Sequence, residues 1–294
     1  MNVCDAPQPQ YLPDLVLDII FSNLKLSDLY SCMLVCRNWN RAINRGRSEL
    51  WKLLCRRELT EELLNSKDLS SLQSHKDKLR ALYNSWNPED CSKYISVSNH
   101  GFTFISRLNK DRFINGYHVI DNFHSSTFPM FFPGIVMMST DMIRTKTGYT
   151  TGKHIWEITF NGPLGGVAMI GVSTKEAPLH CIGFKPLLGA NKHSWGWNLV
   201  SNDLEHNAIS HGNYPLLKNA PKYKLGEKLL LVLDCDNGTL HFEKCDVFLG
   251  IAFKNLPKTK LYPSVSVVHS DSNVSVLYIS NTGSARQQSG QTQF

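Results

Sequence analysis

His180 and Cys181 stand side by side, an imidazole next to a thiol, the two groups that nucleophilic catalysis by cysteine needs. Asp203, Glu205 and His206 put two carboxylates and a second imidazole in one short stretch, able to exchange protons if a rigid element aimed them at one point. Nothing in the surrounding sequence orders either group. The chain has no Gly-x-Ser-x-Gly elbow, no His-Glu-x-x-His pattern and no carboxylate pair on an evident rigid element. Its eight Cys include no Cys-x-x-Cys pair, so neither a zinc site of usual spacing nor the ordered ligand set of a RING is written here. Cys32 and Cys36 are four apart, but the run Cys32-Met33-Leu34-Val35-Cys36 reads as a buried helix face. These residues predict a non-catalytic chain without metal or cofactor.

Binding is the remaining class of chemistry. Six Trp, ten Tyr and fourteen Phe suit a sandwich core and a binding face. Trp195 and Trp197 are two apart, so in a strand they share a face, and Gly196 between them permits close approach of another backbone. They read as core, or as the lip of a ligand groove. Tyr149, Thr150 and Tyr214 lie in turn-rich loops and are candidates to line such a groove. The formal charge of +6 is scattered, apart from Arg37, Arg41, Arg45, Arg47, Lys52, Arg56 and Arg57. That stretch is not the dense stripe interleaved with exposed aromatics that nucleic-acid binding needs, and it reads as a solvated helix face, so no nucleic-acid partner is expected. No apolar run reaches the ~18 residues of a membrane span, and residues 1–10 lack the segments of a secretory signal. Reduced thiols, a cytoplasmic location and no membrane insertion are the expectation.

The texture of the chain changes along its length. Residues 12–86 read as helical. Pro13 suits a helix start, where its missing N–H is no loss. Leu15, Ile19, Ile20 and Leu24 recur at helical spacing. Ser27 is a candidate N-cap for a second helix carrying Leu29, Met33 and Leu34. A third carries Trp39 and Ile43. A fourth starts near Ser48, with Leu50, Trp51 and Leu54 on one side. Helices this short must pack on one another or on a partner. Ser74 to Trp86 reads as a further helix, capped by Ser74 with Asp77 at its third position. Its stripe of Leu79, Leu82, Tyr83 and Trp86 is expected to dock on the β region, and Pro88 to end it.

From residue 93 the period becomes that of strands. Trp156, Ile158 and Phe160 alternate with Ile155, Glu157 and Thr159. Val167 to Ser173, Leu229 to Asp234, Leu240 to Glu243, Phe248 to Phe253, Leu261 to Val268 and Val274 to Ile279 are short strands between turn residues, the pattern of an antiparallel sandwich. Asp236-Asn237-Gly238-Thr239 is a hairpin signal, because Asn and Gly tolerate φ > 0.

Leu12-Pro13-Asp14, Ile19-Ile20-Phe21, Leu24, Leu29, Val35-Cys36, Trp39 and Leu50-Trp51, in that order, resemble an F-box. The resemblance implies a three-helix unit that binds a Skp-type adaptor, with Leu12, Pro13, Leu15, Ile19, Ile20, Leu24, Leu29, Val35, Cys36 and Trp39 as contact residues. Internal packing is the other reading of several of these, above all Trp39. Thr151-Gly152-Lys153-His154-Ile155-Trp156-Glu157, Gly171-Val172-Ser173, Ser194-Trp195-Gly196-Trp197-Asn198, Leu233-Asp234, Gly238-Thr239-Leu240-His241-Phe242, Gly250-Ile251-Ala252-Phe253 and Leu261-Tyr262-Pro263 resemble a SPRY domain. That family implies a protein-binding module whose loops choose the ligand. Tyr149, Thr150, Trp195, Trp197 and Tyr214 are then the ligand-binding candidates, and Tyr262-Pro263 reads as structural.

The predicted fold class is α+β in separate domains. Residues 11–58 form a small helical F-box, 59–92 a helical connector and 93–281 an antiparallel β-sandwich of SPRY type. Residues 1–10 are a disordered N-terminus and 282–294 a flexible tail. With Ala81-Leu82-Tyr83-Asn84-Ser85-Trp86 at the junction, the pair resembles the F-box/SPRY domain-containing protein 1 family. That resemblance implies a substrate-recognition subunit of a ubiquitin ligase, partnered by a Highwire-type RING ligase. It implies a presynaptic location and restraint of synaptic growth through degradation of a MAP kinase kinase kinase. A non-catalytic synaptic scaffold is the alternative. One departure is an atypical insertion at about 105–139. It reads equally as a surface excursion near the ligand-binding edge or as translated intron.

Overall fold

The computed structural model describes residues 12–45, 49–107, 139–215, 223–268 and 271–281. The N-terminus 1–10, the tail 282–294, Ser48 and all but the ends of the 105–139 insertion lie outside them. The chain divides into two units, Met1–Ala81 and Leu82–Phe294.

The first unit is helical: α1 (Asp14–Ser22), α2 (Leu26–Met33), α3 (Arg37–Asn44), α4 (Glu49–Glu58), α5 (Glu61–Leu64), α6 (Lys67–Ser70) and most of α7 (His75–Tyr83). Pro13 stands directly before α1, and its carbonyl accepts from Val16 and Leu17 N–H at 3.0 and 3.1 Å. Leu17, Phe21, Leu29, Ile43, Leu50 and Leu54 fill the interior. The Trp51 indole N–H donates to the Ile43 carbonyl at 2.9 Å, which fastens α4 to α3. Arg57 donates to the carbonyls of Ser22 and Leu24, supplying a cation where the carbonyls of α1 run out. Ser27 is not the cap of α2; the helix starts at Leu26, with Lys25 in the extended cap position. The cap of α3 is a thiol: Cys36 Sγ accepts from the Trp39 N–H at 3.5 Å. At α7 the expected capping is present, with Asp77 N–H donating to Ser74 Oγ at 3.0 Å and Ser74 Oγ–H to the Asp77 carboxylate at 2.6 Å.

Helix α7 ends three residues before Trp86. Ser85 turns back onto the Leu82 carbonyl through its hydroxyl at 2.7 Å, and β1 (Trp86–Cys91) begins. Trp86 pairs with Thr145, is fully buried, and donates its indole N–H to the Val274 carbonyl at 3.1 Å. The helical spacing of Leu79, Leu82, Tyr83 and Trp86 therefore joins two elements: burial among strands wins Trp86. Pro88 does not stop a helix; it sits exposed in an edge strand, where no ladder donor is needed.

In the second unit, two antiparallel sheets face each other. Beyond β1 the strands are β2 (Ile95–Ser98), β3 (Thr103–Ser106), β4 (Ser139–Thr145), β5 (Lys153–Phe160), β6 (Ala168–Ser173), β7 (His180–Ile182), β8 (Ser194–Asn198), β9 (Asp203–His206) and β10 (Ile209–Asn213). β11 (Lys228–Asp234), β12 (Thr239–Lys244), β13 (Val247–Phe253), β14 (Tyr262–Val267) and β15 (Asn273–Asn281) complete the set. One sheet runs β1-β4-β14-β6-β8-β9-β10, with β7 also on β4; the other runs β13-β12-β11-β5-β15-β3-β2. Strand β5 alternates half-buried and buried residues, as its sequence dictates. The sheets meet where Trp197 of β8 packs on Phe242 of β12, ring centroids 5.1 Å apart. Gly196 and Gly171 are cross-strand partners. A Cβ on Gly196 would fall 2.4 Å from the Leu188 carbonyl oxygen, so the close approach read from the sequence is real. The β11–β12 hairpin pairs Asp234 with Thr239, leaving a four-residue loop. Only Gly238 of that loop has positive φ; Asn237 is held by the Asp234 carboxylate, which accepts its N–H at 2.8 Å.

Candidate functional site

Two surfaces, one on each unit, hold most of the residues singled out in the sequence. On the helical unit, α1 carries apolar side chains on both its inner and its outer side. Leu17 and Phe21 point in, while Leu15, Ile19, Val16 and Ile20 are exposed. Leu15 and Ile19 are one turn apart, so they stack on the outer face at 64% and 52% exposure. The turn after α2 adds Leu34 and Val35 at 86% and 62%. The helix thus leaves one apolar face in water.

Of the expected contact residues, Leu12, Pro13, Leu15, Ile19, Ile20, Val35 and Cys36 are exposed. Leu24 and Trp39 are half-buried, and Trp39 meets Phe21 edge-on at 5.2 Å. Leu29 is a correction: at 2% exposure it belongs to the interior, because α2 turns that side toward the helical core. Val16 and Leu34, not among the expected contact residues, are exposed beside them. The i, i+4 spacing of Val16 and Ile20 carried the signal for the first.

Beneath this face lies Asp18, buried, with one carboxylate oxygen lacking a hydrogen-bond partner among the described residues. Burial raises its pKa above the usual carboxylate value, against backbone N–H groups of Leu50 and Glu49 that lower it. Asp18 thus accepts from the first turn of α4. A raised folded-state pKa means the fold binds the proton more tightly than the unfolded chain. Its contribution to stability is full below the unfolded pKa and is lost as pH rises through the folded one. We expect the stability of the helical unit relative to Asp18→Asn to grow as pH falls through that window. Urea titrations of both proteins, read at unit-specific amide signals, check this; parallel pH profiles would contradict it.

On the sandwich, the expected ligand residues separate. Tyr214 is a correction: it lies inside, with its hydroxyl donating to the Gly250 carbonyl at 2.7 Å and accepting the Phe242 N–H at 3.2 Å. Trp197 is buried beside it, rings 5.1 Å apart, so it fills core and lines nothing. Tyr149 is half-buried, stacked on His154 at 3.5 Å, with its hydroxyl donating to Asn84 Oδ1 at 2.7 Å. Its neighbour Thr150 is exposed. His154 is kept neutral by burial: Nε2–H donates to the Thr151 carbonyl at 2.9 Å, leaving Nδ1 to accept from Tyr278 at 3.0 Å.

Trp195 alone of the five lines a surface groove, together with Tyr262, Lys175, His193 and Lys260. Tyr262, read as structural, is part of the floor. The ladder explains the gathering, since Tyr262 pairs with Ser173 and Ser173 with Ser194, so three loops leave the sheet at one end. The other end of the same strands carries exposed Ile182 and Phe184. The lysines gather here from loops far apart in the chain.

The groups that suggested catalysis lie on two separate strands, β7 and β9. His180 Nδ1 lies 2.8 Å from buried Asp141, whose oxygens also accept from Ser92 and Ser139. Cys181, next on the strand, faces the other way, and burial pushes its thiol pKa up, away from thiolate. His206 stacks on Trp195 at 4.6 Å, and its neighbour Glu205 has a pKa raised by burial and by Asp203.

Comparison with known proteins agrees with this anatomy. The F-box-like family matches residues 10–57 and the SPRY domain family residues 153–279. F-box/SPRY domain-containing protein 1 of Aedes aegypti is 43% identical over 268 residues, 91% of this chain and 93% of that protein. Its counterpart in Drosophila mojavensis is 45% identical over 264 residues, 90% of this chain and 94% of that one. Among solved structures, the SPRY domain of human HERC1 aligns over 66% of this chain and 98% of its own, with TM-score 0.46 and 18% identity. A helical F-box-like unit followed by a SPRY sandwich fits the class of ubiquitin-ligase substrate adaptors, which are typically non-catalytic components of their complexes. Within that class, the chain belongs to the F-box/SPRY domain-containing protein 1 family.

Proposed function

We propose that the chain is the substrate-recognition subunit of a ubiquitin ligase, docked by its helical unit on a Skp-type adaptor and gripping a protein through its sandwich. The observation that carries the first half is the wet apolar face of α1 with Leu12, Leu34 and Val35 beside it. An F-box pattern and an unpartnered apolar helix ask for the same thing, a protein surface that removes those side chains from water. The sandwich supplies the second half as a rigid frame whose loops are free to read a ligand. Family resemblance extends the proposal to a Highwire-type RING ligase as sandwich partner, a MAP kinase kinase kinase as target, and the cytoplasm of the presynaptic terminal as the place. No residue of this chain need touch the transferred ubiquitin, because a RING ligase presents the charged enzyme itself.

The test uses the full chain and its Leu12→Ala/Pro13→Ala variant as affinity baits in neuronal extract. Wild type is expected to recover the adaptor and a giant RING ligase; the variant, whose changes sit in exposed residues, loses the adaptor and keeps the ligase. Adaptor recovery equal in both would overturn the docking assignment.

A further inference from the structure

Strand β7 is a short piece at the margin of its sheet. It pairs with β4 through Asp141–His180, Thr140–Cys181 and Ser139–Ile182, and it stands off the path of the other strands. Such a short ladder has few bonds to lose, so β7 belongs to the part of the sandwich that opens most easily. Strand β11, paired along its length with β5 and β12, belongs to the other extreme.

What holds β7 is gathered on one side chain of β4. Asp141 is fully buried, and its carboxylate accepts from His180 Nδ1–H at 2.8 Å, from the Ser92 hydroxyl at 2.5 Å and from the Ser139 hydroxyl at 2.9 Å. Ser139 lies on β4 itself. Ser92 lies in the turn after β1, and its N–H donates to the Met142 carbonyl at 2.9 Å. These two hydroxyls fix the carboxylate in place. His180 is its donor from β7, with the Tyr94 ring 5.1 Å away. Cys181 packs against the core cluster around Met142, so the imidazole fastens the opposite face of the strand. A bond to a buried carboxylate is worth more than one between neutral groups, and its loss leaves a buried acceptor short of a donor. The fastening continues past the strand. The Thr140 hydroxyl donates to the Gly183 carbonyl at 2.9 Å, between Ile182 and Phe184, which stand 61% and 56% exposed.

We infer that β7 is a latched strap: it opens as a unit while the sandwich stays folded, and the His180–Asp141 bond sets how often. The latch governs the shape of this apolar end, because Ile182 is on the strap and Phe184 follows it directly.

Hydrogen exchange of the full chain, read by mass spectrometry over segments 179–184, 209–213 and 229–234, tests this with wild type, His180→Leu and His180→Asn. Asn carries an amide N–H close to where the ring Nδ1–H stood, and Leu carries none. Both variants lose the ring beside Tyr94, so their difference reports the bond. In wild type, β7 is expected to exchange well ahead of β11. His180→Leu should speed β7 at least about tenfold, and His180→Asn should return it to within about threefold of wild type. Strand β10, whose own opening leaves the latch closed, should keep its wild-type rate in both. The inference is overturned if β7 and β11 exchange together in wild type, or if His180→Leu leaves β7 unchanged. It is equally overturned if His180→Asn opens β7 as far as His180→Leu does, or if β10 speeds up with β7.

Discussion

Leu15→Lys combined with Ile19→Lys lowers affinity for a Skp-type adaptor by more than about 100-fold while leaving the helical unit folded. Both side chains already stand more than half in water, so their replacement gives up little burial in the free protein. Lys is nearly as good a helix former as Leu and better than Ile, so α1 itself is not weakened. In the complex the balance reverses. Each ammonium would enter an apolar interface without a partner, and a central interface residue so disrupted costs about 2 kcal/mol or more. Titration calorimetry with purified adaptor reads the affinity, and far-ultraviolet circular dichroism the fold. A loss smaller than about fivefold would place the adaptor elsewhere.

Arg144→Met destabilises the sandwich by about 3–5 kcal/mol. Arg144 is buried in β4, where its guanidinium donates to Ser173 Oγ at 3.0 Å, to Asp90 at 2.7 Å and to the Ala177 carbonyl. Met fills much of the volume but none of those bonds. The loss leaves buried Asp90 against a single exposed lysine, and a carboxylate deprived of its inner partner keeps its desolvation cost. Adding Asp90→Asn to Arg144→Met should recover part of the loss, because the uncompensated charge goes. Chemical unfolding of the two variants measures this. Equal stability of wild type and Arg144→Met would show the cluster to be idle.

The strands were legible where burial alternates or runs continuously, as in β5 and β11, because period alone reports which side meets the core. The end of α7 was not. Trp86 fits a helical stripe as well as a strand, and only its pairing with Thr145 and its bond to the Val274 carbonyl, 188 residues away in the chain, decide. The proposed adaptor face was readable from apolar residues at helical spacing, but which of them turn inward depends on neighbouring helices, and so Leu29 went to the core. The groove was least legible. Trp195 and Trp197 are indistinguishable in sequence, yet one floors a surface and the other meets Phe242 across the sheets. Lys175, Lys192 and Lys260 come together only through the β14–β6–β8 ladder.

The central claim, that the helical face delivers a protein held by the sandwich to ubiquitination, is tested by the half-life of the proposed MAP kinase kinase kinase target. The full chain or its Leu15→Lys/Ile19→Lys variant replaces the native protein in neurons. The account predicts a short half-life with wild type, and with the variant a half-life as long as in cells lacking the chain, although the variant still binds the target. An equally short half-life with both proteins would contradict it.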